Sequence, residues 1–262
     1  MNVIQEYISL SKKITDRVAD QEFQIGRAAS WFAETILAGR MVHVFGSGHS
    51  RIMVEEMWPR YGSFPGFNPI VELSLTFHNL VVGANGQRQA MFLENVSGFA
   101  ERILRNFDVE STDCALIISS SGTNIVPVEM AELFQQKKIK VVSILTQKHS
   151  DKSESKRSDG KKLSDFSDLI LDTGAPVGDS MIKIPGLETP VAPGSTIGGA
   201  LLINCIKAEV ARLLTAAGQP PKVLTAANVV GKEKAVELFE SAYDEHAHRL
   251  AKLYQHVGKP KK

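Results

Sequence analysis

Apolar residues recur at or near helical spacing through the first 38 positions: Ile4, Ile8, Ile14, Val18, Ile25, Ala28, Phe32 and Ile36. The pattern predicts one or two amphipathic helices, stopped by Gly39. The period then changes. Val42–Phe45 is a short buried-strand run, Ser50–Trp58 reads as a helix ended by Pro59, and the Pro- and Gly-rich stretch Pro59–Ile70 reads as a loop. Gln87–Phe107 reads as one helix, with Phe92, Val96, Phe99, Ile103 and Phe107 on or near one side. From Cys114 an apolar strand ends in a small polar turn, followed by a helix over Ile125–Lys137 and a β-branched strand over Lys140–Leu145. Asp168–Leu171 reads as a further strand and Met181–Ile184 as a short extra one. Ser195–Ala216 is a long helix broken by Gly218–Pro221, and Gly231–Tyr254 a last amphipathic helix before a Lys-rich tail.

Strands alternating with helices imply parallel pairing, because each return to the same sheet edge needs a crossover. The expected architecture is a three-layer α/β/α fold around a doubly wound, mainly parallel sheet of flavodoxin-like type. It carries a helical extension over 1–38, an α/β domain over 39–230, and a C-terminal helix and tail over 231–262. Composition changes this picture little but excludes several functions. The formal charge of +1 supplies no broad field for nucleic acid or membrane. No apolar run reaches the roughly 18 residues of a membrane span. The N-terminus lacks the apolar core of a signal peptide, and the cytoplasm is the expected location by default. Cys114 and Cys205 read as small buried hydrophobes, and two cysteines make no disulfide framework. His43 reads as a core residue, and His246 and His248 as surface histidines two positions apart, a spacing that does not share a helix face. Neither a His-Glu-x-x-His run nor a cysteine pair at ligand spacing occurs, so no metal and no cofactor are expected.

Two polar turns carry the candidate chemistry. "MVHVFGSGHSR" (41–51) runs from a strand into Gly46, Ser47, Gly48, His49 and Ser50. A strand, a Gly-rich turn and a helix together present free N–H groups and a positive helix end to an anion. A dinucleotide would want a third glycine where Arg51 stands, and the Gly-Lys-Ser/Thr of a nucleotide loop is absent from both turns. That leaves a small phosphate or only a tight corner. The second turn, "SSSGTN", favours phosphate: Ser119, Ser120 and Ser121 end a strand, Gly122 loosens the chain, and Asn124 can cap the next helix. Two such turns at the C-terminal edge of one sheet can converge on one ligand.

These turns resemble those of the sugar isomerase (SIS) domain family, whose members commonly bind phosphosugars with Gly-x-Gly-x-Ser and Ser-x-Ser-Gly-x-Thr turns. Here the first is Gly46, Gly48 and Ser50, and the second Ser119, Ser121, Gly122 and Asn124, with Asn in place of Thr. "FGSGHS", "SSSGTNIVPVEMA", "DTGAPVGDS", "GSTIGGALLIN" and "AANVVG" are similar to successive landmarks of a SIS subfamily grouped with phosphosugar isomerases, so the resemblance spans most of the chain. That subfamily tends to carry a His in its polar loop where this chain has Arg157–Ser158. The resemblance implies a SIS-type fold, a phosphorylated sugar as substrate and assembly as a homodimer or homotetramer. The implied reaction is aldose–ketose isomerisation of a sugar 6-phosphate. The alternatives are a lyase or dehydratase acting on an N-acetylhexosamine 6-phosphate, or a non-catalytic sugar-phosphate sensor. No basic recognition helix accompanies residues 1–38, which argues against a DNA-binding regulator.

Isomerisation through an enediol needs a base beside a carbon and an acid or base beside the sugar oxygens. The carboxylate candidates are Glu55 and Glu56 on the helix after Ser50, Glu94 in an apolar setting, and Glu72. Glu56 is preferred slightly, by analogy with SIS isomerases carrying a Glu on this first helix. His49 within the first turn and His78 are candidates for proton transfer, and Asp179 for binding sugar hydroxyls. The polar segment His149–Asp165 reads as a solvated loop, with a lid whose Lys or Arg meets an anion as the functional alternative.

Overall fold

The computed structural model describes residues 2–76, 86–255 and 257. Five strands form one parallel sheet: β1 (Val42–Gly46), β2 (Phe67–Ile70), β3 (Cys114–Ile118), β4 (Lys140–Leu145) and β5 (Leu169–Asp172). Their order is β2-β1-β3-β4-β5. The helices are α1 (Val3–Ala19), α2 (Glu22–Leu37), α3 (Arg51–Met57), α4 (Gly86–Leu93), α5 (Phe99–Leu104), α6 (Ile125–Gln136), α7 (Gln147–Lys152), α8 (Ser195–Ala216), α9 (Ala227–Val230) and α10 (Lys232–Leu253).

Side chains alternate across a strand, so each strand feeds two cores. Val42, Val44, Leu116 and Ile118 pack with α2, α3 and α8, through Phe32, Met53 and Leu202 among others. Phe45, Ala115, Ile117 and Val141 pack on the other face with α5 and α6, through Ile103, Val126 and Phe134. The result is the expected three-layer, doubly wound α/β fold. Val18 of α1 and Ala242 of α10 enter the first of these cores, so both terminal helices lie on the same side of the sheet. No described helix is long and apolar enough to cross a membrane.

Several elements depart from the sequence pattern. The stretch read as a loop over 59–70 ends in β2, which pairs with β1 and places Pro69 opposite Val44. β2 is an edge strand, where a residue without an N–H is tolerated. The single helix expected over 87–107 is two, α4 and α5. Gly98, at φ +81°, turns the chain between them, and its N–H is held by Glu129. Phe92 is accordingly left exposed. The extra strand expected at 181–184 is a lone antiparallel bridge between Ile182 and Val191.

Cys205 is exposed on α8, not buried. Cys114 is buried as expected, and burial pushes its thiol up to about 12. His43 is a core residue: Asn68 donates to Nδ1 (3.0 Å), Nε2 donates to Asp113 (3.1 Å), and the ring stacks on Phe134. Arg40 grips the same carboxylate with two bonds of 2.7 and 2.9 Å. His246 is not a surface histidine; it packs half-buried against Trp58, and burial lowers its pKa.

Candidate functional site

The two polar turns leave the C-terminal ends of adjacent strands. β1 and β3 pair in register, with Gly46 opposite Ile118. The chain then departs in opposite directions, since β2 lies outside β1 and β4 outside β3. α3 covers one face and α6 the other, so the two turns lie where the strand order reverses. Open α/β sheets bind ligands at such a point.

Local chemistry shapes each turn. A Cβ on Gly46 would stand 2.9 Å from the carbonyl oxygen of Ser50, so only glycine lets the chain fold back there. Gly48 (φ +55°) and Gly122 (φ +64°) occupy the left-handed region that side chains disfavour. In the second turn Ser119 Oγ accepts the Gly122 N–H at 3.2 Å. Ser121 Oγ accepts from the Thr123 hydroxyl at 3.0 Å. Among the described residues neither Ser121 nor Ser50 directs its own hydroxyl proton to an acceptor, and both are partly exposed. Ser120 Oγ lies 3.3 Å from Thr146 Oγ1, which ties the turn to the end of β4.

Glu94 joins the two turns. It follows α4, and only 8% of its surface reaches solvent. Its Oε2 accepts the Ser47 hydroxyl of the first turn at 2.7 Å, while its backbone carbonyl accepts the Val126 N–H at the start of α6, 2.9 Å away. Burial pushes its carboxyl above the ordinary range. The Ser47 bond, the positive charge of Lys156 and the Asn124 amide oppose that rise without cancelling it. A carboxyl held this way, buried and beside two polar turns, has the profile of a proton-transfer group.

Asn124 occupies the N-cap position of α6, but its side chain makes no capping bond. Its Oδ1 accepts from Lys156 Nζ instead. Lys156 belongs to the polar segment 149–165, which is neither loose nor fully solvated. Its backbone N–H bonds Thr123, Leu163 is buried and bonds Gly122, and Arg157 is clamped by Glu132 and Asp159 at 2.7 and 2.6 Å. The segment therefore seats a cation over the second turn.

The remaining candidates lie in other settings. Glu56 turns to α8. It accepts from Asn204 at 2.9 Å and from Arg60 at 2.5 Å, and Lys207 Nζ stands 3.9 Å away. Burial alone would raise its pKa, but these partners outweigh burial and lower it. Glu56 thus closes an ion-pair cluster, whereas Glu94 is the carboxylate bonded to a turn. Glu55 pairs with Arg51 and is exposed. Glu72 is spent locally on the N–H and hydroxyl of Ser74. Asp179 accepts the N–H groups of Gly194 and Ser195 and the Ser195 hydroxyl, so it caps α8. His49 is exposed in the first turn, and His78 lies outside the described residues.

Sequence reasoning missed Lys207, which is buried with its ammonium bonded to the Glu56 carbonyl (2.8 Å) and Ser63 Oγ (3.1 Å). Burial lowers its pKa, and nearby Glu56 counters part of that shift. Its place on α8 among apolar neighbours offers no sequence signal beyond an isolated Lys in an apolar helix.

Comparison with known proteins agrees with this geometry. Residues 6–146, more than half of the chain, match the model of the SIS domain family. A UPF0309 protein of Listeria innocua is 30% identical over 252 residues, covering 96% of this chain and 98% of that protein. A UPF0309 protein of Halalkalibacterium halodurans is 33% identical over 229 residues, covering 87% and 92%. Among solved structures, a phosphoheptose isomerase from Francisella tularensis superposes with a TM-score of 0.50 at 16% identity, over 79% of this chain and 95% of that one. With its family model, its relatives and its sheet order in accord, the chain belongs to the SIS domain family.

Proposed function

We propose that this protein binds a phosphorylated sugar at the turns after β1 and β3 and interconverts its aldose and ketose forms. One observation carries the reading: a buried carboxyl with a raised pKa, Glu94, is bonded to Ser47 of the first turn and to the backbone at the head of the second. Membership of the SIS family supports the phosphosugar as ligand class.

In this reading Ser50, Ser121 and the N-terminal end of α6 hold the phosphate, where the helix dipole favours an anion. The Lys156 ammonium adds positive charge on the same side. The phosphate is a handle, and its binding positions carbons remote from it. Glu94, as carboxylate, takes a proton from the carbon beside the carbonyl and the electron pair moves into an enediolate; the proton of the neighbouring sugar hydroxyl passes to the former carbonyl oxygen; and the protonated Glu94 returns its proton to the former carbonyl carbon, leaving the new carbonyl at the neighbour. A raised pKa suits both halves, since the group must accept the proton and then release it. Ser47, donating to Oε2, orients the carboxylate.

The test is exchange with solvent. The protein is mixed in heavy water with a panel of hexose, heptose and amino-sugar 6-phosphates, and deuterium at the carbon beside the carbonyl is followed by NMR. One class of substrate should exchange and convert. Binding of a phosphosugar with neither exchange nor product across the panel would overturn the enzyme and leave a sensor.

A further inference from the structure

A second cavity, of about 450 Å³, lies between α1 and the loop after β5, and no residue of either polar turn lines it. We infer that it is a binding site for a small organic anion, a phosphate or carboxylate carried on an apolar or aromatic body.

The argument starts from charge. Lys13 and Arg17 from α1 and Lys148 from α7 line the cavity, and Asp172 is the one carboxylate among its lining residues. That carboxylate is already saturated. Its Oδ1 accepts the N–H groups of Gln147 and Gly174, both at 3.0 Å, and its Oδ2 accepts Arg17 Nε at 3.1 Å. Arg17 and Asp172 therefore offset each other. Among the described residues the ammonium groups of Lys13 and Lys148 have no hydrogen-bond or ion-pair partner, and both are exposed. Two positive charges thus flank the cavity without a protein anion to answer them.

Apart from Gly174 and the hydroxyl of Ser180, the rest of the lining is apolar: Leu10, Ile14, Ala175, Pro176, Val177 and Met181. Such a lining favours a ligand with an apolar body and gives little to a bare inorganic ion. The volume falls in the range of small-molecule sites, roughly 300–1,000 Å³.

The walls are also held in place. A Cβ on Gly174 (φ +75°) would stand 2.9 Å from Arg17 Cγ, and one on Gly194 2.7 Å from both Ile14 Cδ1 and the Met181 sulfur. Glycines at these points let α1 lie directly on the loop. Gln21 exchanges two bonds of 2.7 and 2.8 Å with the Asp172 backbone, and the Tyr7 hydroxyl donates to the Pro193 carbonyl at 2.7 Å. On the far side the Gly178 N–H donates to His149 Nδ1 at 3.2 Å. A cavity with braced walls needs little ordering to accept a ligand.

Methionine-methyl NMR tests the inference at the cavity itself, using Met181→Leu to assign the signal. Phenyl phosphate is the probe, and benzyl alcohol its uncharged counterpart. In the natural chain phenyl phosphate should shift the Met181 methyl saturably, and benzyl alcohol should do so only weakly. In a Lys13→Ala/Lys148→Ala variant the phenyl phosphate affinity read from that signal should fall by roughly tenfold or more, as for lost charged contacts. The other methionine signals report that the variant is folded. No shift of Met181 in the natural chain, an equal response to benzyl alcohol, or an unchanged affinity in the double variant would each overturn the proposal. Because the signal is local, the result is independent of whether the two turns bind a phosphosugar.

Discussion

Glu94, beside the two turns, is buried and Glu56, on α3, is partly buried, and burial acts on both to raise the pKa. Their partners then separate them. Glu94 is met by a neutral hydroxyl and a neutral amide, with the Lys156 charge at a remove, and it stays raised. Glu56 is met by an amide, the Arg60 guanidinium and the Lys207 ammonium, and it falls below the ordinary range. The raised carboxyl and the lowered one thus differ both in burial, which is deeper for Glu94, and in whether a cation touches them.

The sharpest break of this comparison is kinetic. Glu94→Gln keeps the shape and the Ser47 contact but removes the base, so turnover of the phosphosugar should fall about 10²–10⁴-fold with binding largely retained. Glu56→Gln should leave turnover within a few-fold. If Glu56→Gln produced the larger loss in the same assay, the assignment would be reversed.

Stability sharpens it next, through opposite pH dependences. The folded pKa of Glu94 lies above its unfolded value. Its contribution is therefore fully present below the unfolded pKa and is lost as pH rises through the folded one. Glu56 is depressed, so its contribution is present above the unfolded pKa and is lost as pH falls through the folded one. Urea unfolding across a pH series should show Glu56→Gln costing about 1.5–3 kcal/mol near neutrality, the range for a hydrogen bond to a charged group, and less in acid. Glu94→Gln should gain stability relative to the natural chain as pH rises. Parallel profiles for the two variants would show that the environments do not differ as described.

The smallest effect is at the second turn. Ser121→Ala should weaken phosphosugar binding by about 0.5–1.5 kcal/mol, the worth of one ordinary hydrogen bond, and calorimetry would measure it. An unchanged affinity in a folded variant would take Ser121 out of the site.

Much of the fold was legible because its signals are local. The apolar run of β3, the Gly122 turn and the helix start at Ile125 follow one another within a dozen residues, and the limits of α8 agree with the pattern at both ends. β2 was hidden because Pro69 and the glycines before it argue against a strand, and only its place at the sheet edge makes Pro acceptable. The break between α4 and α5 was hidden because the apolar spacing runs on through Gly98. The site was legible as two turns but not as a site. Glu55 and Glu56 lie close to Ser50 in the chain, whereas the hydrogen bond that joins a glutamate to the first turn spans 47 positions, from Ser47 to Glu94.

The sequence by itself determined where strands end in small polar turns, since strand, glycine turn and helix start are read from neighbouring residues. It also carried enough motif to indicate the SIS family. Only the tertiary structure decided which glutamate faces those turns, that Asp179 is consumed as a helix cap, and that Lys156 sits over Asn124. The physical reason is that a carboxyl's proton affinity depends on burial and on which charges lie near it. Both are set by residues brought together from distant parts of the chain.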